Sequence, residues 1–172
     1  MRKDHCRNLP VTLLVSAAIL AFAGCSGRDE ARDPAAARTT SEKKLDSGDE
    51  KIIAERFGGA VVQPSGLRWT VRAPGTGTAT PQIGNEVIAH YDGRLLDGTS
   101  FDSSYRSGAP FVFRVGTGAV IKGWDEAFLT MKKGEKRTLI IPHWLGYGDK
   151  GSPPRIPSRA TLVFEVELLD WR

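Results

Sequence analysis

The chain has 172 residues, which suits one domain with a tail. It carries 24 Lys/Arg against 20 Asp/Glu; the 14 basic and 11 acidic residues of 60–172 are scattered, with no arginine stripe interleaved with aromatics, which argues against nucleic-acid binding. Its two cysteines, Cys6 and Cys25, both fall in the first 25 residues, so a disulfide framework or a zinc site is excluded for the rest of the chain.

Taken from the N-terminus, Arg2, Lys3 and Arg7 precede an apolar run from Val11 to Phe22. At about 12 residues this run is shorter than the ~20 that a spanning helix needs. Small residues come next in Phe22-Ala23-Gly24-Cys25, and then a polar stretch begins at Ser26. A charged start, a short apolar run and small residues before a cleavage point are the parts of a secretory signal peptide. Cysteine directly after Ala-Gly resembles the lipobox of bacterial lipoproteins, with Phe22 in place of the usual leucine. That resemblance implies cleavage before Cys25 and lipidation of Cys25. The alternatives are an ordinary secreted protein or an uncleaved anchor. A serine rather than an aspartate after the cysteine favours outer-membrane sorting, facing the periplasm, if the cell is Gram-negative.

Residues 26–59 hold seven Lys/Arg and eight Asp/Glu, and up to Gly48 only Leu45 is a large apolar residue. Such composition buries too little surface to offset the entropy of ordering, so the stretch reads as a flexible linker. Within it, residues 49–57 could form a short helix with Ile52, Ile53 and Phe57 on one face. That helix is either transient or docked on the domain, which is expected to occupy 60–172.

The domain reads as strands. Leu67 to Val71 alternates large and polar side chains, and Ala73 to Gly77 is a turn cluster. Glu86 to Tyr91 reads as a buried strand, and Asp97-Gly98 is a strong turn signal. Phe111 to Val115 alternates again. In Val120 to Met131 the pattern changes: Trp124, Ala127, Phe128 and Met131 recur at the spacing of an apolar helix stripe, opposite Lys122, Asp125, Glu126 and Thr130. Glu135 to Ile141 is a strand closed by Pro142. Thr161 to Leu169 places Leu162, Phe164, Val166 and Leu168 on one face and Glu165 and Glu167 on the other, as in a sheet with one wet side. The fold class is therefore α+β: about five antiparallel strands in a half-barrel around one short helix. Between the last two strands runs a long irregular segment, His143 to Arg159, of the kind that usually carries function.

The stretches Val87–Gly93, Asp97–Ser104, Pro110–Trp124, Ile141–Gly148 and Ile156–Leu169 together resemble the FKBP-type peptidyl-prolyl cis-trans isomerases, in the family's order and spacing, over about residues 64–171. The resemblance implies a proline-binding pocket. Trp124 would be its floor, with Tyr91, Phe111, Val120, Ile121 and Phe164 as walls and Ile156 at the outer rim. Phe101 would press on the proline ring, Asp102 would sit near the substrate carbonyl, and Tyr147 would donate a hydrogen bond to the peptide. The backbone N–H of Ile121 would receive a carbonyl. Taken singly, these aromatics read as core, Asp102 as a turn residue and Tyr147 as a surface loop residue. Their joint register is what favours a pocket.

The implied chemistry is rotation about an X–Pro bond, which needs no cofactor, metal or nucleophile. Implied partners are proline-containing segments of unfolded or nascent exported polypeptides, and macrolide inhibitors such as tacrolimus and rapamycin. A single domain of this kind implies a monomer, held to a membrane by its lipid, that assists the folding of exported proteins. A catalytically weak peptide-binding or chaperone module is the second reading, although no flap-like insertion is visible in the turns. An acid–base or metal hydrolase is the weakest, since only His5, His90 and His143 are available. His90 is expected in the core and His143 in a loop.

Three departures from the family pattern stand out. Ser107 occupies the position where many members carry an arginine facing the aspartate, and Arg106 lies one earlier. Gly146 replaces the usual alanine before Tyr147. The loop tip reads Ser152-Pro153-Pro154-Arg155, which places a cation near the rim.

Overall fold

Alternation of large side chains along two long strands organises the molecule. In the computed structural model, which describes residues 43–172, these are β3 (Glu86–Leu95) and β7 (Leu162–Trp171), paired antiparallel from Val87 with Trp171 to Leu95 with Leu162. The remaining strands are β1 (Val61–Val62), β2 (Arg68–Ala73), β4 (Ser100–Ser103), β5 (Phe111–Arg114) and β6 (Lys136–Ile141). Every pairing is antiparallel, in the order β1-β2-β6-β7-β3-β4. β5 shares one side of β3 with β4: β5 takes Glu86–Ala89 and β4 takes Asp92–Arg94. Between those two strands the chain leaves the sheet in a single helical turn, α2 (Ser104–Ser107).

The sheet thus has seven strands where the sequence suggests five. Five of them, β2, β3, β5, β6 and β7, coincide with the five expected strand segments. The two additions, Val61–Val62 and Ser100–Ser103, are too short or too polar to show a period of two.

On one face of the sheet lies α3 (Lys122–Phe128). Its Trp124, Ala127 and Phe128, with Met131 just beyond its end, are buried against Leu139, Ile141, Leu162, Phe164, Val166 and Leu168. The helix is shorter than its apolar stripe, because the turn after Phe128 already aims the chain at β6.

The other face is covered as well. A helix, α1 (Ser47–Phe57), is capped by Asp46, whose carboxylate accepts the Gly48 N–H at 2.8 Å. Its Ile53, 1% exposed, packs with Leu45 on Leu96, Ile140 and Val163. Glu50 grips the Arg68 guanidinium with two bonds of 2.7 and 3.0 Å, Thr161 donates to Asp49, and Arg56 donates to the Leu96 carbonyl. The helix is therefore docked, and the chain is anchored from Leu45 onward rather than from residue 60. The polar composition upstream hides this because two apolar side chains, Leu45 and Ile53, suffice to cap a small patch. The expected signal peptide, the lipobox with Cys25 and the first part of the expected linker lie outside the described residues.

Candidate functional site

The concave side of the sheet, at the α3 N-terminus, holds a pocket of about 610 Å3. Trp124, 4% exposed, is its hub. The indole meets Tyr91 edge-on at 5.0 Å between centroids and Phe164 at 5.2 Å, and it also touches Phe111, Phe113 and Phe128. Phe101 stands perpendicular to Phe164 at 5.5 Å. Gly93 makes that meeting possible, since a Cβ there would lie 2.7 Å from Phe164 and 2.8 Å from Phe101. The indole N–H of Trp124 is buried and has no hydrogen-bond partner among the described residues. Edge-on rings, whose one polar atom at the floor is that indole N–H, present an apolar floor suited to an aliphatic ring.

The other polar groups are confined to the mouth. The Tyr91 hydroxyl donates to Asp102 at 2.6 Å, and the other Asp102 oxygen accepts the Ser103 N–H at 2.9 Å. Burial first, and the Asp102 bond second, push the Tyr91 phenol well above the ordinary tyrosine value. Burial and then the Asp102 charge push the Tyr147 phenol up in the same direction. Both side chains therefore stay neutral donors at physiological pH. The Tyr147 hydroxyl makes no hydrogen bond among the described residues, and its ring is 42% exposed beside the pocket. The Ile121 N–H, at the N-cap of α3, is likewise unpaired among the described residues.

The loop before α3 is tied down by Asp125, whose carboxylate accepts the Gly116 N–H at 2.7 Å and the Gly118 N–H at 2.9 Å. This places Gly118, Ala119 and Lys122 on the pocket wall beside Val120 and Ile121. None of the three stands out in the sequence, where small residues in a turn carry no signature and Lys122 belongs to the polar face of the helix. Asp125 reads there as part of the same face, with no sign of its hold on the loop.

Of the ten expected pocket residues, the structure brings nine together: Tyr91, Phe101, Asp102, Phe111, Val120, Ile121, Trp124, Tyr147 and Phe164. Ile156 is the exception. It is 4% exposed and belongs to the core rather than to the rim. Reciprocal backbone bonds with Ser152, 2.9 and 3.0 Å, close a turn that leaves Arg155 exposed and turns Ile156 inward. Nor does Arg106 pair with Asp102: among the described residues Arg106 has no carboxylate within salt-bridge distance, and Tyr91 occupies the aspartate instead. His90 lies outside the core, stacked on Tyr105 at 4.5 Å and bonded to Ser104. His143, expected as a plain loop residue, is buried against Trp144.

A larger groove, about 810 Å3, runs along α1 between Leu45, Asp49, Asp97, His143 and Arg159. The groove has no wall of stacked rings to enclose a proline, so the smaller pocket is the candidate site.

Comparison with known proteins points to one family. Residues 77–169 match the family described as FKBP-type peptidyl-prolyl cis-trans isomerase. Human "Peptidyl-prolyl cis-trans isomerase FKBP2" is 62% identical over 86 residues, which is 50% of this chain and 61% of that protein. "FK506-binding protein 1A" of Aspergillus fumigatus is 50% identical over 104 residues, 60% of this chain and 93% of that protein. Among solved structures, the crystal structure of AtFKBP13 superposes with a TM-score of 0.63 at 40% identity, covering 66% of this chain and 98% of that one.

Proposed function

This chain belongs to the family of FKBP-type peptidyl-prolyl cis-trans isomerases, and on that premise we propose that its pocket catalyses rotation about X–Pro peptide bonds. The observation that carries the proposal is the position of Trp124: a buried indole at the centre of an aromatic bowl, with Asp102 and Tyr147 only at the mouth.

The rotation barrier, about 18–20 kcal/mol, is lost amide resonance. The twisted bond is less polar across C–N than the planar one. An apolar aromatic bowl therefore favours the twisted form over the planar ground state, and fixed donors at the mouth restrain the carbonyl while the ring turns. This is catalysis by differential binding of the transition state. It needs no proton transfer, which agrees with two phenols held neutral.

We further propose that the substrates are proline-containing segments of exported polypeptides, that macrolides such as tacrolimus and rapamycin compete for the same bowl, and that a lipid on Cys25 holds the enzyme to a membrane outside the cytoplasm. The support is the residue pattern Phe22-Ala23-Gly24-Cys25 behind an apolar run, and the slowness of prolyl isomerisation in unfolded chains, on the order of tens of seconds. Cys25→Ser tests the anchor: the protein should become soluble or remain an uncleaved precursor, and a processed membrane-bound species would contradict it.

The second reading, a weakly catalytic peptide-binding module, is favoured by one observation: Asp102 is held by a phenol and not by a guanidinium. Titrating a proline peptide for both binding and isomerisation separates the two readings. The isomerase reading expects turnover wherever there is binding.

A further inference from the structure

We infer that Ser65 is a positioning residue that holds the floor and the loop wall of the pocket in one register, an inference resting on the isomerase reading above. Ser65 lies in the turn Pro64-Ser65-Gly66 before β2, outside the residues 77–169 that match the family.

The Ser65 hydroxyl donates to the Glu126 carboxylate at 2.8 Å. Glu126 lies two residues after Trp124 on the same helix. The Ser65 carbonyl oxygen accepts the indole N–H of Trp144 at 2.9 Å. Trp144 precedes Tyr147 by three residues. One residue thus bonds on one side to the helix that carries the pocket floor, and on the other to the loop that carries the exposed phenol.

The turn is itself fixed. The Leu67 N–H donates to the Ser65 hydroxyl at 3.2 Å, the Gln63 N–H donates to the Leu67 carbonyl at 2.8 Å, and Leu67 is fully buried. At Gly66, where φ is +96°, a Cβ would lie 2.8 Å from the Trp144 ring, so the indole is seated directly on the turn. From Trp144 the register passes into the loop, because the Gly146 and Gly148 N–H groups both donate to the carbonyl of the neighbouring His143, at 3.0 and 2.7 Å. With no hydrogen bond of its own among the described residues, the Tyr147 hydroxyl takes its position from this backbone.

The test uses the full-length chain in detergent. Ser65→Ala cuts the link to the floor, and Trp144→Phe cuts the link to the loop while keeping a ring on Gly66. Each should lower kcat/KM about fivefold, the equivalent of one net hydrogen bond. The double variant should lose little more than either single one, since both break the same clip. Ser65→Thr, which keeps the hydroxyl, should retain activity. In a Tyr147→Phe background Trp144→Phe should cost less than about twofold. Amide exchange at Gly146 and Gly148 should accelerate in Trp144→Phe. Additive losses, an undiminished loss in the Tyr147→Phe background, or unchanged exchange would each overturn the inference. If the wild-type chain turns over no peptide, the isomerase reading fails, and exchange at Gly146 and Gly148 alone then decides the clip.

Discussion

The Tyr91 hydroxyl lies 2.6 Å from the Asp102 carboxylate, so the acid at the pocket mouth is held by a wall of the pocket itself. β3 and β4 bring the pair together, since Gly93 stands opposite Asp102 in their register. Ser104 fixes the other partner by accepting the Tyr91 N–H at 2.8 Å. The carboxylate is thereby oriented without a cation, and the phenol is kept protonated by burial and by the charge it serves.

Tyr91→Phe tests that arrangement. The ring remains on Trp124, and only the donor to Asp102 is lost. A hydrogen bond to a charged group contributes about 1.5–3 kcal/mol where it is buried, and less at this open mouth. We expect kcat/KM to fall about three- to tenfold in a peptide isomerisation assay, with the melting temperature nearly unchanged. An unaltered rate would remove the pair from the mechanism.

Trp124→Ala should cost both fold and activity. The indole is buried and touches five other aromatic rings. Truncating a large buried aromatic costs about 3–5 kcal/mol. Denaturant titration should show that loss, and a fully stable variant would contradict the placement of α3 beneath the pocket.

Ile53→Ala reports on α1. Ile53 is 1% exposed against Ile140 and Val163, so its loss should destabilise the fold by about 2–4 kcal/mol. Because that face is opposite the pocket, kcat/KM of the folded variant should stay within about twofold of wild type. Wild-type stability in the denaturant titration would mean that the helix is not docked in solution.

His143 sets a pH dependence of stability. Burial first, and then the Arg159 charge, hold its imidazole below the ordinary value; Asp149, 3.7 Å away but largely exposed, does not offset them. A base with a depressed folded pKa takes up its proton more readily when unfolded. Its effect is thus absent above about pH 6.5, the unfolded value, and stability falls as the pH drops from there toward the folded pKa. The melting temperature should decline between about pH 7 and pH 5, and His143→Gln should flatten that decline. An equal slope in the variant would assign it to other groups.

Much of this site was legible in the sequence because strand alternation and one helical stripe place aromatics on known faces. Leu162, Phe164, Val166 and Leu168 are buried as their period of two requires, and Trp124, Ala127 and Phe128 as theirs of 3.6 requires. What escaped depends on contacts between distant segments. The Tyr91–Asp102 bond comes from the β3–β4 register, not from either residue's neighbours. Ile156 turned inward because a backbone turn with Ser152 decided its direction, which no side-chain pattern encodes. The buried apolar part of α1's docking comes from Leu45 and Ile53, while Ile52 on the same stretch stays 36% exposed. In a segment rich in charge, that left a docked and a transient helix indistinguishable.

The most direct measurement is protease-free cis-to-trans isomerisation of an Ala-Leu-Pro-Phe-type peptide by a soluble Ser26–Arg172 protein, with and without rapamycin. Rapid turnover that rapamycin blocks is the predicted result, and it would place the reaction in the Trp124 bowl. Peptide binding with no acceleration of isomerisation would contradict the account, and it would point to the Tyr91-held Asp102 as the group that fails to catalyse.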